Sequence, residues 1–145
     1  MPLAKDFLTP EEEHEVVQAI VAAERNTSGE IRVHIENHTE KQPLERAQEV
    51  FYQLGMDKTT LQNGVLFYVG VQDHTFAIIG DKGINDLVEE NFWDKTKDLV
   101  ISHFKNGRFK QGLVEGILKA GEKLKVLFPS SDNNKDELPN EISKN

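Results

Sequence analysis

Glu30, Asp57, Thr59, Asn63, Asp81 and Asp86 place oxygen-bearing side chains beside turn-forming glycines in three separate stretches of the chain. Hard divalent cations such as Ca²⁺ or Mg²⁺ are held by several oxygens, mixing carboxylate, amide and carbonyl ligands. Donors drawn from separate stretches imply a site closed by tertiary folding, unlike the contiguous calcium loop of an EF-hand. Asp81 lies in Gly80-Asp81-Lys82-Gly83, just ahead of an apolar helical pattern that starts at Ile84. The free N–H groups of a helix start favour an anion, and Lys82 adds a cation. A phosphate bridged between a metal and this turn would be neutralised from two sides. The chemistry indicated is metal-assisted phosphomonoester hydrolysis, in which the ion polarises a phosphoryl oxygen and supplies a bound hydroxide. On this reading Asp81 and Lys82 are the catalytic candidates, and Asp81, Asp57, Glu30, Asn63 and Asp86 are the metal ligands.

Each residue also has a plain structural reading. Asp81 suits a helix start as a favourable acid, and Gly80 and Gly83 suit a turn. Asp57 and Thr59 suit an Asx-type turn, and Asn63-Gly64 a turn before a strand. Their convergence carries the functional reading. Its alternative is a non-catalytic Ca²⁺- or Mg²⁺-binding interaction or assembly-accessory module, serving an unidentified protein partner. Asp86, Glu89, Glu90 and Asp94 recur at helical spacing and either extend the metal site or form a solvated helix face.

Other chemistries find less support. The chain has no cysteine, which removes disulfides, zinc–thiolate sites and thiol catalysis. His14, His34, His38, His74 and His103 show no zinc spacing. Ser28 and Ser102 sit in no nucleophile elbow, and Gly80-x-x-Gly83 lacks the Lys-Ser/Thr pair of a phosphate loop. A net charge of −8 and a pI near 5.1 argue against a nucleic-acid partner, which needs a basic face. The N-terminus lacks the pattern of a secretory signal, and the apolar run Val65–Val71 is far too short to span a bilayer. No membrane partner and a cytoplasmic location are the resulting expectations.

The elements that must position these residues read as α-β-α-β-β-α-α, within the one domain that 145 residues allow. Thr9-Pro10-Glu11-Glu12 opens a helix with a capping box. Ile31, Val33 and Ile35 alternate with Arg32, His34 and Glu36, which predicts a strand with one buried face. Pro43 starts a second helix that Gly55 ends. Val65–Val69, apolar on both faces, predicts a central strand. Val71–His74 is too short for a crossover and predicts a hairpin into a strand over 75–79. One long helix is expected through Ile84, Leu87, Val88, Phe92, Leu99, Val100 and Phe104. A last helix carries Phe109 to Leu127, with Gly112 and Gly116 spaced for close approach. The expected domain covers 1–129 and is followed by a disordered polar tail over 130–145. Helices on both faces of a small mixed sheet, a three-layer α/β/α sandwich, accommodate this order. The first two strands run parallel and the third antiparallel, so Gly29-Glu30, the 56–64 loop and Gly80–Gly83 meet at one edge.

Four segments, Ser28-Gly-Glu-Ile-Arg-Val33, Asn63-Gly-Val-Leu-Phe-Tyr-Val69, Ile79-Gly-Asp-Lys-Gly-Ile84 and Phe104-Lys-Asn-Gly-Arg-Phe-Lys-Gln-Gly-Leu113, in this order resemble the TPM domain over nearly the whole chain. The resemblance implies an α/β/α sandwich, a divalent-metal site that is commonly calcium, and the acid-phosphatase-like activity ascribed to some members. Other members resemble accessory factors in photosystem repair or receptor complexes. Asn63 and the Gly80–Gly83 turn match the family's recurrent loops, and Asp81 the acidic form of that turn in stand-alone bacterial members. The implied substrate is a small phosphorylated molecule.

Overall fold

A computed structural model describes residues 4–130 and 138–145. Helix α1 (Pro10–Glu24) begins where Thr9 Oγ1 accepts from Glu12 N–H and the Glu12 carboxylate accepts from Thr9 N–H, the reciprocal cap expected of this tetrapeptide. Strand β1 (Glu30–Glu36) follows, then α2 (Pro43–Gln53), β2 (Gly64–Gly70) and β3 (Thr75–Gly80). β1 and β2 run parallel, Glu30 opposite Gly64 through Glu36 opposite Gly70, while β3 returns antiparallel with Val65 opposite Gly80. The sheet order β3-β2-β1-β4, with β4 formed by Ser143–Lys144, keeps the apolar β2 inside, where it is buried along its whole length.

Ile31, Val33, Ile35, Val65, Phe67, Val69, Phe76 and Ile78 face one apolar cluster, completed by α1, α4 (Asp94–Lys105) and α5 (Phe109–Leu127). Leu66, Tyr68 and Ala77 face the other, under Ala47, Val50 and Phe51 of α2. These are the three layers of an α/β/α sandwich.

Three features depart from the sequence expectation. The long helix is two helices, α3 (Lys82–Asn85) and α4, with residues 86–93 irregular between them. Asn85, Asp86 and Asn91 are weak helix formers that compete for backbone hydrogen bonds, and Asn85 Nδ2 indeed donates to Gly80 O at 3.0 Å. Ile84, Val88 and Phe92 still reach the core without a continuous helix, so the apolar spacing persisted across a real break. The acidic spacing from Asp86 to Asp94 therefore lies on no common helix. Secondly, both faces of β1 are buried, including Arg32, His34 and Glu36. Thirdly, the expected disordered tail is structured over 138–145: Ser143–Lys144 forms β4, parallel to β1, and Leu138 packs on the α2-side cluster. Residues 131–137 of that expectation lie outside the described residues.

The small-residue spacing on α5 performs as expected. A Cβ at Gly112 would press on His103 and Phe104, and one at Gly116 would lie under 3.0 Å from Val100. Gly116→Ala is therefore expected to lower stability by about 1–3 kcal/mol, the usual cost of overpacking, read as a lower denaturant midpoint with an unchanged m-value.

Candidate functional site at the β3 to α3 turn

The short reversal between β2 and β3 gathers the three segments at one rim through backbone bonds. Glu30 N–H donates to Asn63 O at 3.3 Å, Asp81 N–H to Gly64 O at 2.9 Å and Gly83 N–H to Gln62 O at 2.8 Å. Gly83 is demanded by this approach, since a Cβ there would lie under 3.0 Å from the carbonyl oxygens of Leu61 and Gln62.

Side chains at the rim are less convergent than the backbone. Asn63 is buried and donates to Ser28 Oγ at 3.1 Å. The buried Glu30 carboxylate accepts from the Leu138 amide. Asp57 lies in a 3-10 turn, Met56–Lys58. Asp86 is exposed and pairs with Lys82 Nζ at 2.6 Å. That pairing raises the Lys82 pKa, chiefly through its hydrogen bond. Asp81 caps α3, its Oδ1 accepting from Lys82 N–H at 2.7 Å. Because α3 has only four residues, the long-helix dipole expected behind Asp81 is absent.

A cleft of about 450 Å³ opens between α2 and this turn, walled by Gln48, Tyr52, Asp81, Lys82, Asn85, Glu90 and Trp93. Glu30, Asp57, Asn63 and Asp86 are not among its lining residues. Among the described residues no three Asp, Glu or His side chains converge as a metal-holding group. Yet two cleft-lining residues each carry a buried polar atom, of opposite sense, without a hydrogen-bond partner: the acceptor Asp81 Oδ2 and the donor Trp93 Nε1. Buried polar atoms are ordinarily satisfied by protein or by a bound species. A cation suits the first and an anionic oxygen the second, so the donor set partly fits a metal–phosphate pair. Glu90 belongs to the acidic run that the sequence offered as an extension of the metal site; Trp93 was not singled out, because only tertiary packing brings it beside Asp81.

The opposite rim holds a network that sequence reasoning missed. Glu36 accepts from Arg46 Nε and Nη2, both at 2.9 Å, from the Tyr68 hydroxyl, and from Asn145 Nδ2 at 3.3 Å, with His34 Nε2 at 3.2 Å. His34 Nδ1 meets Ser143 Oγ at 3.0 Å, which ties β4 to the network. Burial alone would push the Glu36 carboxyl up; the hydrogen bonds from Arg46, Tyr68, His34 and Asn145 outweigh it and hold it at about 2. Burial pushes His34 down, toward the neutral imidazole, and Tyr68 up. The alternation Arg32-His34-Glu36 was the available signal, since ionisable residues of opposite sign on one strand face form such networks when covered. Beside it, Asp73 accepts from Thr39 N–H at 2.8 Å and meets His38 Nδ1 at 2.5 Å.

Mixed-sheet α/β/α sandwiches with an acidic strand-to-helix turn define the class, and comparison with known proteins gives the family. A family model described as the TPM domain matches residues 4–123. The chain belongs to the TPM domain family. It is similar to the BA42 protein of the psychrophilic bacterium Bizionia argentinensis, with 56% identity, all of both chains covered and a TM-score of 0.92. The N-terminal domain of a protein from P. gingivalis shares the fold at 17% identity, over 84% of this chain and 79% of that one, with a TM-score of 0.69. The N-terminal domain of the cg2496 protein from Corynebacterium glutamicum does so at 10% identity, over 90% and 81%, with a TM-score of 0.66. No curated protein matches the chain. No helix among the described residues is long and apolar enough to cross a membrane.

The depressed Glu36 pKa has a definite sign. Its stabilisation, on the order of 3 kcal/mol, is present above the ordinary carboxylate range and is lost as pH falls toward 2. Glu36→Gln should lower stability at pH 7 by about 3–5 kcal/mol, because Arg46 loses its buried counter-charge. The variant should also lose stability less steeply than the parent as pH falls below about 4.5. Urea unfolding of both proteins from neutral to acid pH checks the two expectations.

Proposed function

We propose that the protein is a divalent-metal-dependent phosphomonoester hydrolase working at the Asp81 cleft on a small phosphorylated substrate in the cytoplasm. The observation that carries this reading is the pair of unpartnered buried atoms, Asp81 Oδ2 and Trp93 Nε1, of two residues that line one cleft. The TPM family model, which is named for phosphatases, supports the same reaction class.

Asp81 would hold Ca²⁺ or Mg²⁺ through Oδ2, with Glu90 and Asn85 as the further oxygen donors on the cleft walls. When bound, the ion supplies Lewis-acid polarisation of the phosphoryl oxygen and lowers the pKa of its water. Trp93 Nε1–H donates to a phosphate oxygen and orients the group. Lys82 swings from its exposed pairing with Asp86 to neutralise charge developing on the phosphoryl oxygens. Glu30, Asp57, Asn63 and Asp86 enter this reading as supports of the rim, outside the cleft.

A second reading, a metal-binding module for a protein partner, draws on exposed apolar side chains near the turn: Tyr52 at 66%, Leu61 at 52% and Leu87 at 59% exposure. Hydrolysis of p-nitrophenyl phosphate by the purified chain separates the two. The hydrolase reading expects turnover that needs added Mg²⁺ or Ca²⁺ and stops with chelator. It also expects kcat/KM to fall at least about 100-fold in Asp81→Asn, and Trp93→Phe to weaken KM more than kcat. Undiminished turnover in excess chelator or in Asp81→Asn would overturn the mechanism. Ion-dependent stabilisation without turnover would favour the binding module.

A further inference from the structure

A second cavity, of about 520 Å³, lies at the opposite end of the sheet from the Asp81 cleft, between the β2–β3 hairpin and the α4–α5 corner. Its walls are aromatic. Phe7 and Phe109 ring centroids are 4.5 Å apart, Phe104 and Phe109 5.5 Å, and Phe76 and Phe104 5.5 Å. Volume and lining match small-molecule sites, which are roughly 300–1,000 Å³, mostly apolar, and carry a few placed polar groups.

The polar groups specify the ligand's sign. Lys105 and His74 line the cavity, no acidic side chain does, and both are exposed. Among the described ion pairs neither takes part, whereas Lys110 nearby in sequence is paired with Glu15. The neighbouring acid Asp73 is already engaged by His38 and the Thr39 amide. Thr75 Oγ1 and the Asp73 carboxylate both lie beside Gly70, so the cationic side of the mouth is the Lys105 side. One ammonium suits a single carboxylate; the lining offers no arginine fork of the kind that grips a phosphate dianion.

We propose that this aromatic cavity binds an aliphatic monocarboxylate, its hydrocarbon chain among Phe7, Phe76, Phe104 and Phe109 and its head group on Lys105. Chain burial supplies the affinity, and Lys105 selects the acid over a neutral analogue. The site shares no residue with the Asp81 cleft, so it stands or falls independently of the hydrolase reading.

Decanoate is the probe, titrated into the full-length chain below its micellar concentration and followed by amide NMR correlation spectra. Saturable shifts at Gly70, Thr75, Phe76 and Gly107 are expected, with no response to acetate, which lacks the chain. Decanol should bind to the same amides roughly tenfold more weakly. Lys105→Gln, an exposed position that leaves the fold intact, should remove that difference while decanol binding stays unchanged. Shifts absent or confined to other apolar surfaces such as Tyr52, Leu61 and Leu87 would overturn the proposal. So would decanoate and decanol binding alike in the parent chain.

Discussion

Four residues, Val71 to His74, separate β2 from β3, and so short a connection leaves β3 no direction but antiparallel. β1 and β2, joined through α2, run parallel instead. That single mismatch of direction makes the two rims of the sheet different. At one, the beginnings of β1 and β2 meet the end of β3, and the backbone bonds Glu30–Asn63, Asp81–Gly64 and Gly83–Gln62 lock the segments together. At the other, the hairpin folds onto the end of β1, with Val71 N–H donating to Glu36 O and Gln72 N–H to Asn37 O. The acidic cleft belongs to the first rim. The aromatic cavity and the buried carboxylate belong to the second.

Glu36 organises the second rim because a buried carboxylate has to be compensated. Its partners come from α2, β2, β1 and the segment at β4, so one charge fixes how four parts of the chain meet. Such a network is a weak source of net stability compared with apolar packing, but it penalises wrong registers sharply. Here it joins Ser143 and Asn145 to His34 and Glu36. The segment 138–145 is placed by these side-chain bonds together with the pairing of β4 on β1 and the packing of Leu138 and Ile142 on the two apolar clusters.

The sequence was legible wherever local pattern and tertiary environment agreed. The capping box at Thr9, the alternation through β1, the unbroken apolar run of β2 and the short hairpin each encode their own structure, and together they determine the mixed sheet. The break after Asn85 was not legible, because Ile84, Val88 and Phe92 keep helical spacing while the backbone between them does not. The covering of Arg32, His34 and Glu36 was hidden for a different reason: a polar strand face looks the same whether water or another segment lies on it. At the candidate site the turn and Asp81 were readable from glycine spacing. The contribution of Trp93 was not, since Phe92-Trp93 reads as core and the unpartnered state of Nε1 is a property of packing alone. Glu30 and Asn63 reached the expected rim, yet their side chains turned to Leu138 and Ser28.

Family membership accounts for the sandwich, and the chemistry proposed for the cleft asks more of Asp81 than the bland role of a helix cap. The two are separable, because a capping aspartate needs only Oδ1, whereas an ion ligand needs Oδ2. Titration of the full-length chain with Ca²⁺ and with Mg²⁺, read by amide NMR correlation spectra, addresses this point most directly. The account predicts saturable shifts centred on Gly80, Asp81, Lys82 and Asn85, lost in Asp81→Asn. Shifts centred instead on His38 and Asp73, at the far rim, would contradict it.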